Sequence, residues 1–168
     1  MEQAKIVLTR VDNRLVHGQV GSTWTNSIGV DTIVVVDDDV AINVLQQKLM
    51  ITIAHAASVK IRFYSIDDFV HVFNTTSSHQ KLFLVVENPN VARKIVEKGI
   101  VLKDVNLGNL HYSRGKVAIS RKAYLDEEDI DSINYLLSKK INVYYQDVPG
   151  TAIETISHLD YETLKKRR

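Results

Sequence analysis

The side chains best suited to chemistry stand close together near the start of the chain. The stretch TRVDNRLVHGQVGSTW, Thr9 to Trp24, holds Arg10, Asp12, Asn13, Arg14 and His17 within eight positions, followed by Gly18 and Gly21. It directly follows a short β-rich run, Lys5 to Leu8. A helix starting near His17 or Gly18 would turn its free backbone N–H groups toward the end of that strand, where they bind phosphate or another anion. Arg14, three residues before His17, can close a guanidinium fork over the same oxygens. Gly18 removes side-chain bulk beside the imidazole and allows close approach. Histidine is a good nucleophile near neutral pH, and its phosphoramidate keeps the phosphoryl group reactive. Such transfer needs positioning and charge stabilisation more than covalent machinery. Asp12 has two uses here: orienting Arg14, or accepting an imidazole N–H and so fixing the tautomer. The competing reading makes His17 a capping or surface histidine and pairs Arg14 with Asp12.

Elsewhere the signals are weaker. There is no G-x-x-x-x-G-K-[ST] or G-x-G-x-x-G loop, which disfavours a nucleotide-dependent kinase or dehydrogenase. No G-x-S-x-G elbow supports a serine triad, and no histidine or carboxylate spacing suggests a metal. His55, His71, His79 and His158 read as surface residues. His111 differs, because Gly108 and Asn109 mark a turn at a strand end from which His111 or Tyr112 can reach a crevice. Asp37 and Asp38 end another strand and could hold the His17 loop; capping the helix that follows is the alternative, and the favoured one for Asp39. Ser65 reads as a helix cap, with Asp68 three positions on.

The chain that must position these groups has 168 residues, 45% hydrophobic and 24% charged, which suits one domain spanning residues 1–168. The absence of cysteine removes disulfides, thiolate metal sites and thiol nucleophiles. A net charge of +1 gives no general attraction for nucleic acid or an anionic membrane. No run approaches a membrane span, and the N-terminus lacks an apolar signal core, so a cytoplasmic protein is expected. Lys165 to Arg168 read as a frayed, solvated end.

Short apolar runs alternate with helical patterns. Strands are expected at Lys5–Leu8, Thr32–Val36, Val59–Tyr64, Lys81–Val86, Asp104–Leu107 and Ile141–Tyr145. The continuous hydrophobicity of the second and fourth suits burial on both faces. Asn88 can cap a helix with Pro89 in its first turn and Gly99 past its end. Asp126 to Asp129 open another, closed by Lys139 and Lys140, with Ile130, Ile133 and Leu137 as its buried stripe. Asp39 to Ala54 reads as a longer helix with Leu45, Leu49 and Ile53 inward. Tyr112 to Lys116 read as a turn between extended pieces, an antiparallel hairpin at the sheet edge. The fold expected is α/β: an open, mostly parallel sheet with helices on both faces.

RVDNRLVHGQV also resembles the signature of the enzyme IIB subunits of the mannose/fructose/sorbose-type sugar phosphotransferase system (PTS), close to R-[IV]-D-[DE]-R-L-[IV]-H-G-Q-V with a tryptophan following. Arg10, Asp12, Arg14, Leu15, His17, Gly18, Gln19, Val20 and Trp24 match, and the departure is Asn13, where an acid is usual. The resemblance runs along nearly the whole chain, and Gly108 to Tyr112 (GNLHY) looks most like the N-acetylgalactosamine branch. It implies a phosphohistidine at Nδ1 of His17, charged by a IIA protein and discharged to a sugar held by membrane IIC and IID subunits. Arg14 would be the transition-state charge partner and Asp12 the support of the loop. Amides of Gly18, Gln19, Val20 and Gly21, with Ser22, would cradle the phosphoryl oxygens. Arg10, Asn13, Asp37, Ser65, Asn109 and His111 are candidate crevice or partner contacts. No cofactor, metal, nucleic acid or membrane insertion is implied. A non-transport phosphate-binding module and a phosphorylation-dependent regulatory module remain as alternatives.

Overall fold

Alternate residues of the central strands face two different helical layers. In the computed structural model, which describes residues 2–167, β2 (Thr32–Val36) and β4 (Lys81–Val86) lie side by side and parallel. Val34, Val36, Leu82, Leu84 and Val86 pack against Ile66, Phe69, Ala92, Ile95, Ile130 and Ile133. Those partners come from α3 (Ile66–Thr75), α4 (Pro89–Glu97) and α5 (Glu127–Ser138). On the opposite face Ile33, Val35, Phe83 and Val85 meet Val20, Trp24, Met50 and Ala54. All five residues of β2 are buried, so the unbroken apolar run has the two-faced burial expected of it. Each such side chain stabilises the fold by about 1.5–3 kcal/mol relative to exposure.

The remaining strands of the main sheet are β1 (Lys5–Val11), β3 (Lys60–Tyr64), β5 (Asp104–Leu107), β8 (Asn142–Tyr145) and β9 (Glu154–Thr155). The order is β3-β2-β4-β1-β5-β8-β9, parallel except for the antiparallel edge strand β9. The chain leaves β1 toward β2 on one side, whereas it leaves the neighbouring β5 toward β8 on the other. A crevice therefore opens at the carboxyl ends of β1 and β5, the usual ligand position in an open α/β sheet.

Most expected helix ends are found. Asn88 caps α4, accepting from the Val91 amide at 3.1 Å, with Pro89 in the first turn. Asp126 and Asp129 form a reciprocal capping box on α5. Ser65 caps α3 through the Asp68 amide.

Five expectations are corrected. The hairpin, β6 (Val117–Ser120) with β7 (Ala123–Leu125), is a separate two-stranded sheet, and Tyr112 to Lys116 lead into it. In α5 it is Leu136, with Ile130 and Ile133, that is fully buried, while Leu137 is only partly covered. Asp37, not Asp39, caps the turn after β2, accepting from the amides of Asp39 and Val40 at 3.0 and 2.9 Å. The long helix is interrupted: a 3₁₀ turn, Val40–Ile42, precedes extended Asn43, which caps α2 (Val44–Ala56) through the Gln46 amide. The restarted helix turns Met50 and Ala54 inward and leaves Leu45 and Leu49 exposed, with Ile53 half-buried. Finally, Lys165 is not frayed but ends α6 (Tyr161–Lys165), where Tyr161 and Leu164 pack on the core; Lys165 to Arg167 are exposed, as expected, and Arg168 lies outside the described residues.

Candidate functional site

β1 and the residue just past its end deliver two charged side chains to the crevice from a position where water is excluded. Arg10 and Asp12 are both fully buried. Arg10 donates to Asp12 Oδ2 from Nε at 3.3 Å and from Nη2 at 3.1 Å. Its Nη1 donates to Asn106 Oδ1 at 2.6 Å and to the Gln146 carbonyl at 3.1 Å, and Nη2 also reaches the Asp147 carbonyl at 3.1 Å. The Trp24 ring lies 5.0 Å from the guanidinium carbon, covering the cation with a π face. Asn106 stands opposite Arg10 in the β1–β5 register, so strand pairing itself brings the two together. A buried charge is tolerable only when paired and hydrogen-bonded, and here every direction of the fork finds an oxygen.

Asp12 passes this order on to the loop. Its Oδ1 accepts from the Arg14 amide at 3.0 Å, and its Oδ2 accepts from Asn109 Nδ2 at 3.2 Å and from His17 Nε2 at 3.0 Å. Burial alone would raise the Asp12 pKa. The His17 hydrogen bond, the Arg10 charge and the Arg14 amide outweigh it and hold the carboxyl below its ordinary 3.8. Burial likewise pulls the Arg10 pKa down, opposed by Asp12. An ionised Asp12 only accepts, so Nε2 of His17 carries the hydrogen and Nδ1 presents its lone pair. Nδ1 has no hydrogen-bond partner among the described residues, and the ring is 15% exposed.

The turn between Asp12 and His17 is tight. The Leu15 amide closes it on the Asp12 carbonyl at 2.9 Å, with Leu15 at φ 54. Left-handed backbone at a leucine costs on the order of 1–3 kcal/mol. Burial of the Leu15 side chain in the Trp24 cluster holds it there. The helix then starts as expected at Gly18, first as a π-helical turn, Gln19–Trp24, then as α1 (Thr25–Ile28). The Gly21 amide is bonded to the His17 carbonyl at 2.8 Å, so the amides of Gly18, Gln19 and Val20 precede the first intrahelical bond. Ser22 Oγ donates back to the Gly18 carbonyl at 2.7 Å. Val20 and Gly21 are buried, and a side chain at Gly21 would strike Ile53 of α2. Arg14 is exposed, and its guanidinium has no hydrogen-bond or ion-pair partner among the described residues.

The other expected residues divide. Asn13 joins three loops: its Oδ1 accepts from the His111 amide at 2.7 Å, its Nδ2 donates to the Glu87 carbonyl at 2.8 Å, and its amide donates to the Asn109 carbonyl. Asn109 belongs to the Asp12 network, and His111 is an exposed rim residue. Arg10, expected among surface contacts, is instead an internal strut. Asp37 and Asp38 do not hold the His17 loop: Asp37 caps its own turn, and Asp38 accepts from the Ile66 amide at 2.9 Å. Ser65 is occupied in capping α3. Asp37 does line, with Asn13, Glu87, Lys94 and His111, a polar crevice of about 660 Å³ that neither His17 nor Asp12 enters. Sequence reading missed Asn106 and the carbonyls of Gln146 and Asp147, whose relation to Arg10 requires the strand order. It saw Gly108 only as a turn. Among the described residues no helix is long and apolar enough to cross a membrane.

Comparison with known proteins agrees with this arrangement. Residues 6–168 match the model of the PTS system sorbose subfamily IIB component. The N-acetylgalactosamine-specific phosphotransferase enzyme IIB component 1 of Escherichia coli is 49% identical over 156 residues, 93% of this chain and 99% of its own length. Its crystal structure superposes with a TM-score of 0.88, covering 91% of this chain and 100% of that one. A PTS-dependent N-acetylgalactosamine IIB component from Streptococcus pyogenes, 34% identical, gives 0.84 over 93% and 96% of the two chains. The IIB domain of the Klebsiella pneumoniae sorbose permease, at 23% identity and 0.82 over 95% and 96%, shares the fold. A buried Arg10–Asp12 pair, a histidine held at a helix start and a family match over almost the full length converge: this chain belongs to the sorbose subfamily of PTS IIB components.

Proposed function

We propose that this IIB component is a cytoplasmic phosphoryl carrier in which His17 accepts a phosphoryl group at Nδ1 from a phosphohistidine on a IIA protein. It then yields that group to a sugar presented by membrane IIC and IID subunits. The observation that carries this reading is the 3.0 Å bond from His17 Nε2 to Asp12 Oδ2. It leaves the unshared pair of Nδ1 free, on the residue that immediately precedes the open amides of Gly18, Gln19 and Val20. In the first step that pair attacks phosphorus, the donor N–P bond breaks, and the donor imidazole departs neutral. The new phosphoimidazole, still holding its Nε2 hydrogen, is cationic, and Asp12 stabilises that charge as it forms. In the second step the N–P bond breaks toward a sugar hydroxyl oxygen, whose proton passes to a base of the sugar-binding subunit or to water, and His17 returns to its neutral form.

Arg14 neutralises the in-flight phosphoryl oxygens. The amides of Gly18, Gln19 and Val20 receive them when the group rests on His17. Gly21 and Ser22 are support: one packs on α2 and the other closes the first turn. No nucleotide or metal enters either step. The sugar is N-acetylgalactosamine or a related amino sugar, supported by the names of the relatives at 49% and 34% identity.

The test is intact-protein mass after incubation with phosphoenolpyruvate, the general PTS phosphorylation proteins and a IIA protein, with His17→Ala in parallel. One acid-labile phosphoryl group, absent from the variant, is the expected result. A folded wild-type protein left unlabelled by a panel of IIA donors overturns the reading.

A further inference from the structure

α2 has an apolar stripe on its outer side. Leu45 and Leu49, one turn apart, are 72% and 63% exposed, and Ile42 just before the helix is 85% exposed. Single exposed leucines are ordinary, but a contiguous stripe on one helix face marks a surface that something covers. It continues past half-buried Ile53 into a shallow cavity of about 550 Å³, whose other wall includes Val16 and whose rim carries Arg14. Val16 adjoins His17 in the chain, and Arg14 is the unpaired cation of the same loop. Leu49 and Arg14 thus line one cavity, and the apolar stripe reaches the loop that carries His17.

We propose that the Ile42–Leu45–Leu49 stripe, with Ile53 at its edge, is the docking surface for the protein that delivers the phosphoryl group to His17. This rests on the carrier reading above. A protein donor must bring its phosphorus within bond-forming distance of Nδ1, so its surface has to cover whatever surrounds His17. The partner chemistry follows from the patch: an apolar collar around an anionic phosphohistidine, the collar on the leucines and the anion on Arg14. Other occupants fit worse. An isologous second copy would cover the apolar stripe while confining Arg14 and its symmetry mate near one another. An anionic lipid surface would meet Asp38 and Asp39, both exposed just before the 3₁₀ turn that leads into α2.

The double variant Leu45→Gln/Leu49→Gln tests this, because both positions are exposed and glutamine preserves helix propensity. Val101→Gln, at an exposed apolar residue elsewhere (86%), is the control. Rapid-quench transfer from a phosphorylated IIA protein of the same system should show the half-saturating donor concentration raised about tenfold or more in the double variant. The saturated rate should stay within about twofold, and the control should be unchanged. Phosphoramidate, a small donor that needs no docking, should label His17 equally in all three proteins. Equal donor dependence in the double variant overturns the docking surface alone. So does a wild-type dimer in sedimentation that the double variant converts to monomer. Absence of label on His17 from either donor overturns the carrier reading beneath it.

Discussion

Gly108 stands where any side chain would occupy the space of the Arg10 guanidinium: a Cβ built on it overlaps Cζ and Nη2. The glycine is needed for close approach and not for a turn, since its φ is not in the left-handed region. Gly108→Ala should therefore push Arg10 off Asp12 and Asn106. Overpacking costs about 1–3 kcal/mol, and disturbing a buried pair adds to it. A fall in thermal midpoint accompanied by loss of His17 phosphorylation is expected from calorimetry and the mass assay.

Asp12→Asn separates orientation from charge. The amide can still meet His17 and Arg10 in shape, but it no longer demands the Nε2–H tautomer, and it leaves a buried guanidinium without its counter-charge. We expect phosphoryl transfer to slow by about 10²–10⁴. Stability should fall by about 3–5 kcal/mol. Nitrogen-15 spectra of the imidazole should show the tautomer shifting in the folded variant; a ring still protonated only on Nε2 would remove Asp12 from tautomer control.

Arg14→Ala should behave in the opposite way. The side chain is exposed and unpaired, so the melting temperature should hardly move, while transfer slows by about 10²–10³ through lost charge stabilisation. Near-normal rates at saturating donor would assign the phosphoryl charge to the helix amides alone.

Two carboxyl groups give opposite pH signatures. The Asp12 pKa is lowered in the fold, so its contribution to stability is complete above 3.8 and is lost as pH falls through the lower folded value. Glu87 is raised above 4.5, by burial first and then by Asp37 and Asp39, so it favours the fold when protonated and weakens it as pH rises through that raised value. Glu87→Gln should accordingly stabilise the protein at neutral pH, by less than about 1 kcal/mol because Glu87 itself is exposed. The gain should vanish toward pH 4, as chemical denaturation at several pH values would show.

The six strands read from apolar runs all exist, and in β2 and β4 burial on both faces announces itself in unbroken hydrophobicity. The strand–loop–histidine–helix order is equally local and was legible. What sequence could not show depends on phase and on neighbours. One extended residue, Asn43, resets the helical phase and turns Leu45 and Leu49 from core to surface. Arg10 looked like a surface cation because its acceptors, Asn106, Gln146 and Asp147, come from β5 and the end of β8. Only the sheet order brings them beside β1. Asp37 and Asp39 differ by two positions in the same turn, and the choice of cap between them is decided by backbone direction, which composition does not encode.

The carbonyl of Gln146 accepts from Arg10 across 136 positions of sequence. The guanidinium that steadies Asp12, and through it His17, is thus completed by a segment synthesised 136 positions after it. A chain still in synthesis can pair β1 with β4 while Arg10 lacks its Gln146 and Asp147 acceptors. Closure of β8 onto β5 is a long-range event of the kind that comes late in folding. Order at residue 17 is in this sense a signal that translation has passed residue 147, so a nascent chain stalled before that point would present its histidine without the completed Arg10–Asp12 support.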